Sequence, residues 1–211
     1  MMKLHNANFS PNALRVRAVA QELGVELEIV EVDIRKAENR AEAFLALNAN
    51  GKVPVLEDGD FTVWESRAIC AYLAGLRPDA GLYPADLKTR AIVDQWAWWQ
   101  AIHLGPAMQK LSFETFLKGK FGMGDPDPAV VEAERKAADQ FLTVLEIGLD
   151  GKDWIAGTLS LADFYLATTF MYREPAGISL VERPNVAGWI GRLEARESWQ
   201  KAVVPLMALF G

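Results

Sequence analysis

Apolar and polar positions in the first part of the chain change period several times, and each change marks an element. Lys3–His5 is a short strand candidate. Pro11–Leu23 carries a helical pattern, with Ser10 placed as N-cap, Pro11 at the first position and Gly24 at the end. Leu27–Val32 alternates acids with apolar residues, as an outer strand does. Glu38–Leu47 reads as a short helix. Val53–Leu56 and Phe61–Val63 read as strands around Glu57-Asp58-Gly59-Asp60, an Asp-Gly hairpin turn. From Glu65 to Ala74, the residues Ala68, Ile69, Tyr72 and Leu73 form one helical face. This order predicts a compact mixed sheet covered by helices.

Gly75–Asp86 breaks the pattern and reads as a linker. Strand signals then fade. Ile92, Trp96, Trp99 and His103 recur at helical spacing, as do Val130, Ala137, Phe141 and Val144, with Gly122–Pro128 separating the two helices. Ser160-Leu161-Ala162-Asp163 has the pattern of a capping box with Asp at its last position. Leu159 and Phe164 stand where a hydrophobic staple would close it. A hydroxyl and an acid so placed satisfy helix donors, so their expected role is structural. Val186, Ile190 and Leu193 mark a further helix, and a short final one begins near Glu197. The second part therefore reads as all-helical, without internal repeats or low-complexity tracts.

A chain of 211 residues makes one large domain or two small ones. A net charge of −6 argues against a general nucleic-acid binder. The single cysteine, Cys70, has no internal disulfide partner and lies on an apolar helix face, where it reads as inert core. No apolar leader opens the chain and no segment reaches the length of a membrane span, so a cytoplasmic protein is expected. His103, one of two histidines, has no neighbouring ligand residue in sequence, so no metal is expected.

Candidate chemistry begins at Gly51-Lys52-Val53-Pro54-Val55-Leu56. An X-Pro bond is the one place where a cis peptide is cheap, and a cis bond would turn the Val53 backbone outward. Glu65-Ser66 then opens a helix. An outward main chain beside a helix N-terminus suits a bound peptide: the backbone pairs with it and the helix end takes its carboxylate. A more ordinary reading makes Ser10 a simple N-cap and Glu65-Ser66 a capping pair.

Three motifs and their order carry a family resemblance. They are Ser10-Pro11-Asn12-Ala13-Leu14-Arg15-Val16, Asn48-Ala49-Asn50-Gly51-Lys52-Val53-Pro54 and Glu65-Ser66-Arg67-Ala68-Ile69, with Ser160–Asp163 in the helical part. The chain resembles the soluble glutathione transferase superfamily, in particular its serine-type, phi-like and bacterial branch, and the resemblance covers nearly its whole length. The resemblance implies an α+β thioredoxin-like domain over 1–76 with a mixed four-stranded sheet. A linker over 77–86 and an all-α helical-bundle domain over 87–211 would follow. It also implies a homodimer that uses glutathione as co-substrate, without metal or prosthetic group, and acts on a small apolar electrophile.

On this resemblance Ser10 would hydrogen-bond the glutathione thiol, with Asn12 as second candidate. A free thiol near pKa ~8.5 is only a few per cent ionised at pH 7, and lowering that value by about two units takes roughly 2.7 kcal/mol. One hydroxyl bond and a helix N-terminus could supply most of it. Glu65 and Ser66 would hold the γ-glutamyl end, and Val53 and Pro54 the cysteinyl backbone. Lys52 and Arg40 would reach the glycine carboxylate. Asn39 stands where relatives carry a histidine for that carboxylate, a departure that would leave this end held more weakly. Phe9, Trp96, Trp99, His103, Phe113 and Phe116 are candidates for the electrophile wall. For Trp96 and Trp99 a core or dimer contact is the competing reading. The absence of Cys-X-X-Cys, or of any cysteine near residue 10, argues against thioredoxin and cysteine-type chemistry. Two alternative functions fit the same motifs. One is a glutathione-dependent disulfide or peroxide reductase, the other a non-catalytic binding or scaffold protein.

Overall fold

The computed structural model describes residues 1–207. They form two compact units: Met1–Tyr83 together with the segment from Ala195, and Pro84–Glu194.

The first unit is built on four strands, β1 (Met2–Asn6), β2 (Leu27–Glu31), β3 (Val55–Asp58) and β4 (Phe61–Trp64), in the order β2-β1-β3-β4. β1 runs parallel to β2 and antiparallel to β3, and β3 and β4 form the hairpin. Helices α1 (Pro11–Leu23) and α3 (Ser66–Leu76) pack together. Leu4 and Leu56 face each other in register and are fully buried, as are Leu14, Val16, Ile69 and Leu73. α1 starts and stops as its sequence directs. Ser10 caps it, and Gly24 ends it in the left-handed conformation (φ 63°) that glycine adopts without steric cost.

Most boundaries shift by one or two residues from the sequence reading, and two differences have a local cause. The helix expected over 38–47 is a 3₁₀ turn at Glu38–Arg40, an extended Ala41 and a short helix α2 (Glu42–Leu47). Ala41 has no side-chain oxygen to cap a longer helix. The strand expected from Val53 begins at Val55, because Pro54 has no N–H for the ladder; the Val53–Pro54 bond is cis.

The last helix of the described chain, α10 (Glu197–Met207 in chain order), packs on α1. The carboxylate of Glu22 accepts from Arg196 Nε at 3.0 Å and Nη2 at 2.5 Å, and from Ser198 Oγ at 2.5 Å. Arg17 Nε donates to the Ala202 carbonyl at 3.3 Å. The helical domain expected over 87–211 thus has its final helix seated on the first unit, while residues 208–211 lie outside the described residues.

The second unit opens with one long helical run, α4 (Leu87–Trp99), α5 (Gly105–Ser112) and α6 (Lys118–Lys120), interrupted by π-helical turns at Gln100–Leu104 and Phe113–Leu117. The first has a local cause. Pro106 has no N–H for the carbonyl four residues back, and the Gly105 N–H bonds to Gln100 five residues back. A Cβ on Gly105 would stand 2.6 Å from the Gln100 carbonyl oxygen, so glycine is required there. The apolar stripes are offset by one residue from the sequence reading. Val93, Trp96, Ala97 and Leu104 are buried, whereas Ile92 is exposed. On α7 (Pro128–Gly148), Ala138, Leu142 and Leu145 are buried, and Val144 is exposed.

α8 (Leu161–Ala167) begins at the expected capping box. Asp163 is fully buried. Its Oδ2 accepts from the Ser160 N–H at 2.9 Å and hydroxyl at 3.1 Å, and its Oδ1 from the Ile155 N–H at 3.0 Å and Trp189 Nε1 at 2.9 Å. Burial pushes this carboxyl above its usual value, and the four donors oppose that. α9 (Pro184–Glu194) is capped from α7, where the Glu146 carboxylate takes the N–H groups of Asn185 and Val186 at 3.0 and 2.9 Å. Among the described residues no helix is long and apolar enough to cross a membrane.

Two stability outcomes follow. Asp163→Asn places an amide N–H against N–H donors and leaves buried donors without an acceptor, so it should cost about 3 kcal/mol or more in urea unfolding. Burial alone would raise the Glu22 carboxyl, but the bonds from Arg196 and Ser198 outweigh it and hold the group below its usual value. A depressed folded-state value gives stability that is present above the unfolded pKa of about 4.3 and lost as pH falls through the folded value. Urea midpoints measured from pH 6 downward to about 3 should therefore fall less steeply in Glu22→Gln than in the parent protein.

Candidate active site

Strand register gathers the predicted residues of the first unit at one end of the sheet. His5 pairs with Val55, and Val55 with Trp64. The chain leaving β1 toward Ser10, the Val53–Pro54 segment entering β3, and Glu65-Ser66 leaving β4 therefore meet at the same edge. Two helices, α1 and α3, start there, and neither has an acidic residue in its first turn. Their N-terminal N–H groups and dipoles favour anions.

Ser10 is half-buried. Its Oγ accepts from the Ala13 N–H at 3.3 Å, its N–H donates to the Ala7 carbonyl at 2.9 Å, and its carbonyl accepts from the Leu14 N–H at 2.9 Å. The cap occupies a lone pair of the hydroxyl, not its proton. A capping serine can therefore still donate outward, and the capping and donor readings of Ser10 do not exclude each other.

Asn12 is exposed, with its Oδ1 held by Arg15 Nη1 at 2.8 Å. Its amide N–H₂ is the part of that side chain left to donate. The same Arg15 Nη1 donates to Ser66 Oγ at 2.7 Å. Arg15 is 2% exposed and so forms a buried bridge between the first turns of α1 and α3. Ser66 again uses a lone pair for the protein and keeps its proton. Arg15 lies within the first motif, where sequence alone assigns it no role. Its signal was a charge inside an apolar run, Ala13-Leu14-Arg15-Val16.

Glu65 is exposed and has φ 73° and ψ 110°, a region that costs a non-glycine residue about 1–3 kcal/mol. This conformation turns the chain sharply from β4 into α3, so that Ser66 is buried at the helix start while the Glu65 carboxylate stays outside.

Val53 lies before the ladder begins and packs in a small apolar cluster with Ala7, Val32, Phe44 and Val55. Two asparagine amides fix the turn ahead of it. Asn39 Nδ2 donates to the Gly51 carbonyl and Asn48 Nδ2 to the Lys52 carbonyl, both at 2.7 Å. Gly51 has φ 61°, and a Cβ there would stand 2.8 Å from Arg40 Nη1, so the Arg40 guanidinium lies directly on this turn. Arg40 and Lys52 are both exposed. Asn39, considered above as a carboxylate contact, is buried with its amide engaged in holding the turn.

The aromatic candidates divide among different packings. Phe9 is partly buried against the Val53 cluster. Trp96 is buried edge-on to Trp99 at 5.1 Å, with its ring filling the space over Gly148, which is the core role weighed for it above. Trp99 and the exposed His103 meet Phe141 at 6.0 and 5.5 Å. Phe116 meets Tyr172 at 5.8 Å, and Phe113 is half-buried. Cys70 is fully buried, and burial pushes its thiol up to about 12, so it is no nucleophile near neutral pH.

Comparison with known proteins identifies the chain's relatives. The family model "Glutathione S-transferase, N-terminal domain" matches residues 1–75, and that for the C-terminal domain matches residues 107–197. A glutathione S-transferase of Hyoscyamus muticus is 35% identical over 207 residues, covering 96% of this chain and 97% of the relative. Glutathione S-transferase 3 of Zea mays is 34% identical, covering 97% and 94%. Among solved structures, glutathione S-transferase I from mais in complex with an atrazine glutathione conjugate superposes with a TM-score of 0.89 at 32% identity, covering 98% of each chain. Glutathione transferase F2 from Populus trichocarpa superposes at 0.92 with 27% identity over the full length of both. On these grounds the chain belongs to the glutathione S-transferase family.

Proposed function

We propose that the protein binds glutathione at this edge of the sheet, ionises its thiol through the Ser10 hydroxyl and conjugates the sulfur to apolar electrophiles. The observation that carries the reading is the bonding of Ser10. Its oxygen caps α1 while its proton remains to donate, at a helix whose first turn holds no acidic residue. A thiolate accepting that proton and facing the α1 dipole gains the two interactions that lower a thiol pKa.

The γ-glutamyl carboxylate would take the Ser66 hydroxyl and the first N–H groups of α3. Its ammonium would meet the Glu65 carboxylate. The cysteinyl backbone would pair with Val53 ahead of Pro54, and the glycine carboxylate would meet Lys52 and Arg40. The last contact is with exposed cations and contributes less than the hydrogen bonds from buried Ser66 and the start of α3. The protein would act without metal or prosthetic group, as a cytoplasmic homodimer. The maize relative holding an atrazine glutathione conjugate supports conjugation ahead of disulfide or peroxide reduction.

A pH titration of glutathione thiolate absorbance on the protein tests the central claim. Ser10→Ala should raise the bound thiol pKa by about one to two units, back toward ~8.5. Asn12→Ala should move it less. A larger effect from Asn12→Ala would transfer the donor role to the amide. Ser66→Ala should instead raise the glutathione KM about tenfold with little change in kcat, as expected for lost ground-state binding worth ~1.4 kcal/mol.

A further inference from the structure

Behind the loop that carries Ser10 lies a polar network outside the ligand contacts described so far. Asn6, the last residue of β1, is fully buried and pairs in register with Glu31, the last residue of β2. Its Nδ2 donates to Glu31 Oε2 at 2.6 Å and to Asn8 Oδ1 at 2.9 Å. Its Oδ1 accepts from Arg17 Nη1. The second Glu31 oxygen, Oε1, accepts the main-chain N–H of Asn8 at 2.9 Å. Glu31 therefore grips the chain at two points, one on each side of Ala7. The Ala7 carbonyl in turn accepts the Ser10 N–H.

We infer that Glu31 is a positioning residue for the thiol donor: by clamping Asn6 and Asn8 it fixes the loop from which Ser10 projects, and so sets the acidity of bound glutathione. The inference rests on the reading of Ser10 as that donor. Both carboxylate oxygens are needed, because each takes a separate donor. Arg17 completes the arrangement from α1. It is 6% exposed, and its Nη1 holds the Asn6 amide in the orientation that points Nδ2 at Glu31. Arg17 is itself braced by the Ala202 carbonyl of α10. Burial lowers its guanidinium to about 10, and the Glu31 charge partly offsets this, so the cation stays charged at neutral pH.

Positioning and a simple field effect predict opposite signs. Removing a negative charge near the site favours a thiolate and would lower the thiol pKa. Loosening the loop weakens the Ser10 bond and raises it. Glu31→Gln keeps one acceptor oxygen and turns a donor toward the other N–H. Glu31→Asp keeps the charge but lacks the reach.

The experiment is the thiolate titration on intact protein for Glu31→Gln, Glu31→Asp, Ser10→Ala and the Ser10→Ala/Glu31→Gln pair, with Glu28→Gln on the same strand as a charge-matched control. Both Glu31 variants should raise the thiol pKa by about half a unit or more. They should lower kcat at pH 6.5 with the glutathione KM unchanged. Glu31→Gln should add nothing in the Ser10→Ala background. A fall or no shift in either Glu31 variant, or an equal rise in Glu28→Gln, overturns the inference while leaving the Ser10 assignment intact if Ser10→Ala still raises the pKa. An unchanged pKa in Ser10→Ala overturns both.

Discussion

A polar group taken out of water must find a partner inside the protein, and this requirement organises the first unit. Asn6, Arg15, Arg17, Asn39, Asn48 and Ser66 are all buried there. They are not scattered through the core. Asn39 and Asn48 bond to successive carbonyls of the turn before Val53, Asn6 reaches Asn8 and Glu31, and Arg15 reaches Asn12 and Ser66. The loops at this edge have no ladder to satisfy their main-chain groups. Buried side chains replace it, and each bond that meets the requirement also fixes a segment of the site. Rigidity of the site and satisfaction of the buried groups are one effect here.

The second unit meets the same requirement for a different purpose. Asp163 collects four donors from three places in the chain: Ser160, Ile155 and Trp189. None of these groups faces a candidate ligand. The network joins the start of α8 to the preceding loop and to α9. A hydroxyl and an acid three residues apart have the composition of a catalytic pair, but here every oxygen lone pair points at a helix or loop donor. Burial and partner count, not residue type, separate this pair from Ser10 and Ser66, whose oxygens accept one protein bond each and retain a proton.

Much of the fold was legible because it rests on local signals. Ser10, Pro11 and Gly24 delimit α1 as their chemistry requires, the hairpin turns at Gly59-Asp60, one residue beyond the expected Asp-Gly, and Ser160–Asp163 opens α8. What was not legible depends on partners distant in sequence. The seating of α10 on α1 rests on Arg196 and Ser198 finding Glu22, 174 and 176 residues away. The offset of the buried stripe from Ile92 to Val93 arises in a helix rich in apolar residues on more than one side, where spacing alone does not select the packed face. Asn39 looked like a ligand contact because its position was legible and its amide's orientation was not. Arg15 shows the converse. Nothing local tells a buried bridging arginine from an ordinary helix arginine until α3 is packed against α1.

That packing gives the site a property no single motif has. One guanidinium nitrogen of Arg15 bonds both Asn12 and Ser66, so a positive charge stands one hydrogen bond behind a side chain at each of the two helix starts. Both ends would receive anions, a thiolate beside α1 and a carboxylate at α3. A charge held in the low-dielectric interior acts on both more strongly than an exposed one would. Because a single side chain serves both helix starts, a movement that separates α1 from α3 would weaken carboxylate binding and thiol ionisation together. The exposed cations at Arg40 and Lys52 lack this coupling. On the proposed function, recognition of the γ-glutamyl end and activation of the thiol would thus be linked through the helix pair, while the glycine end would contribute binding alone.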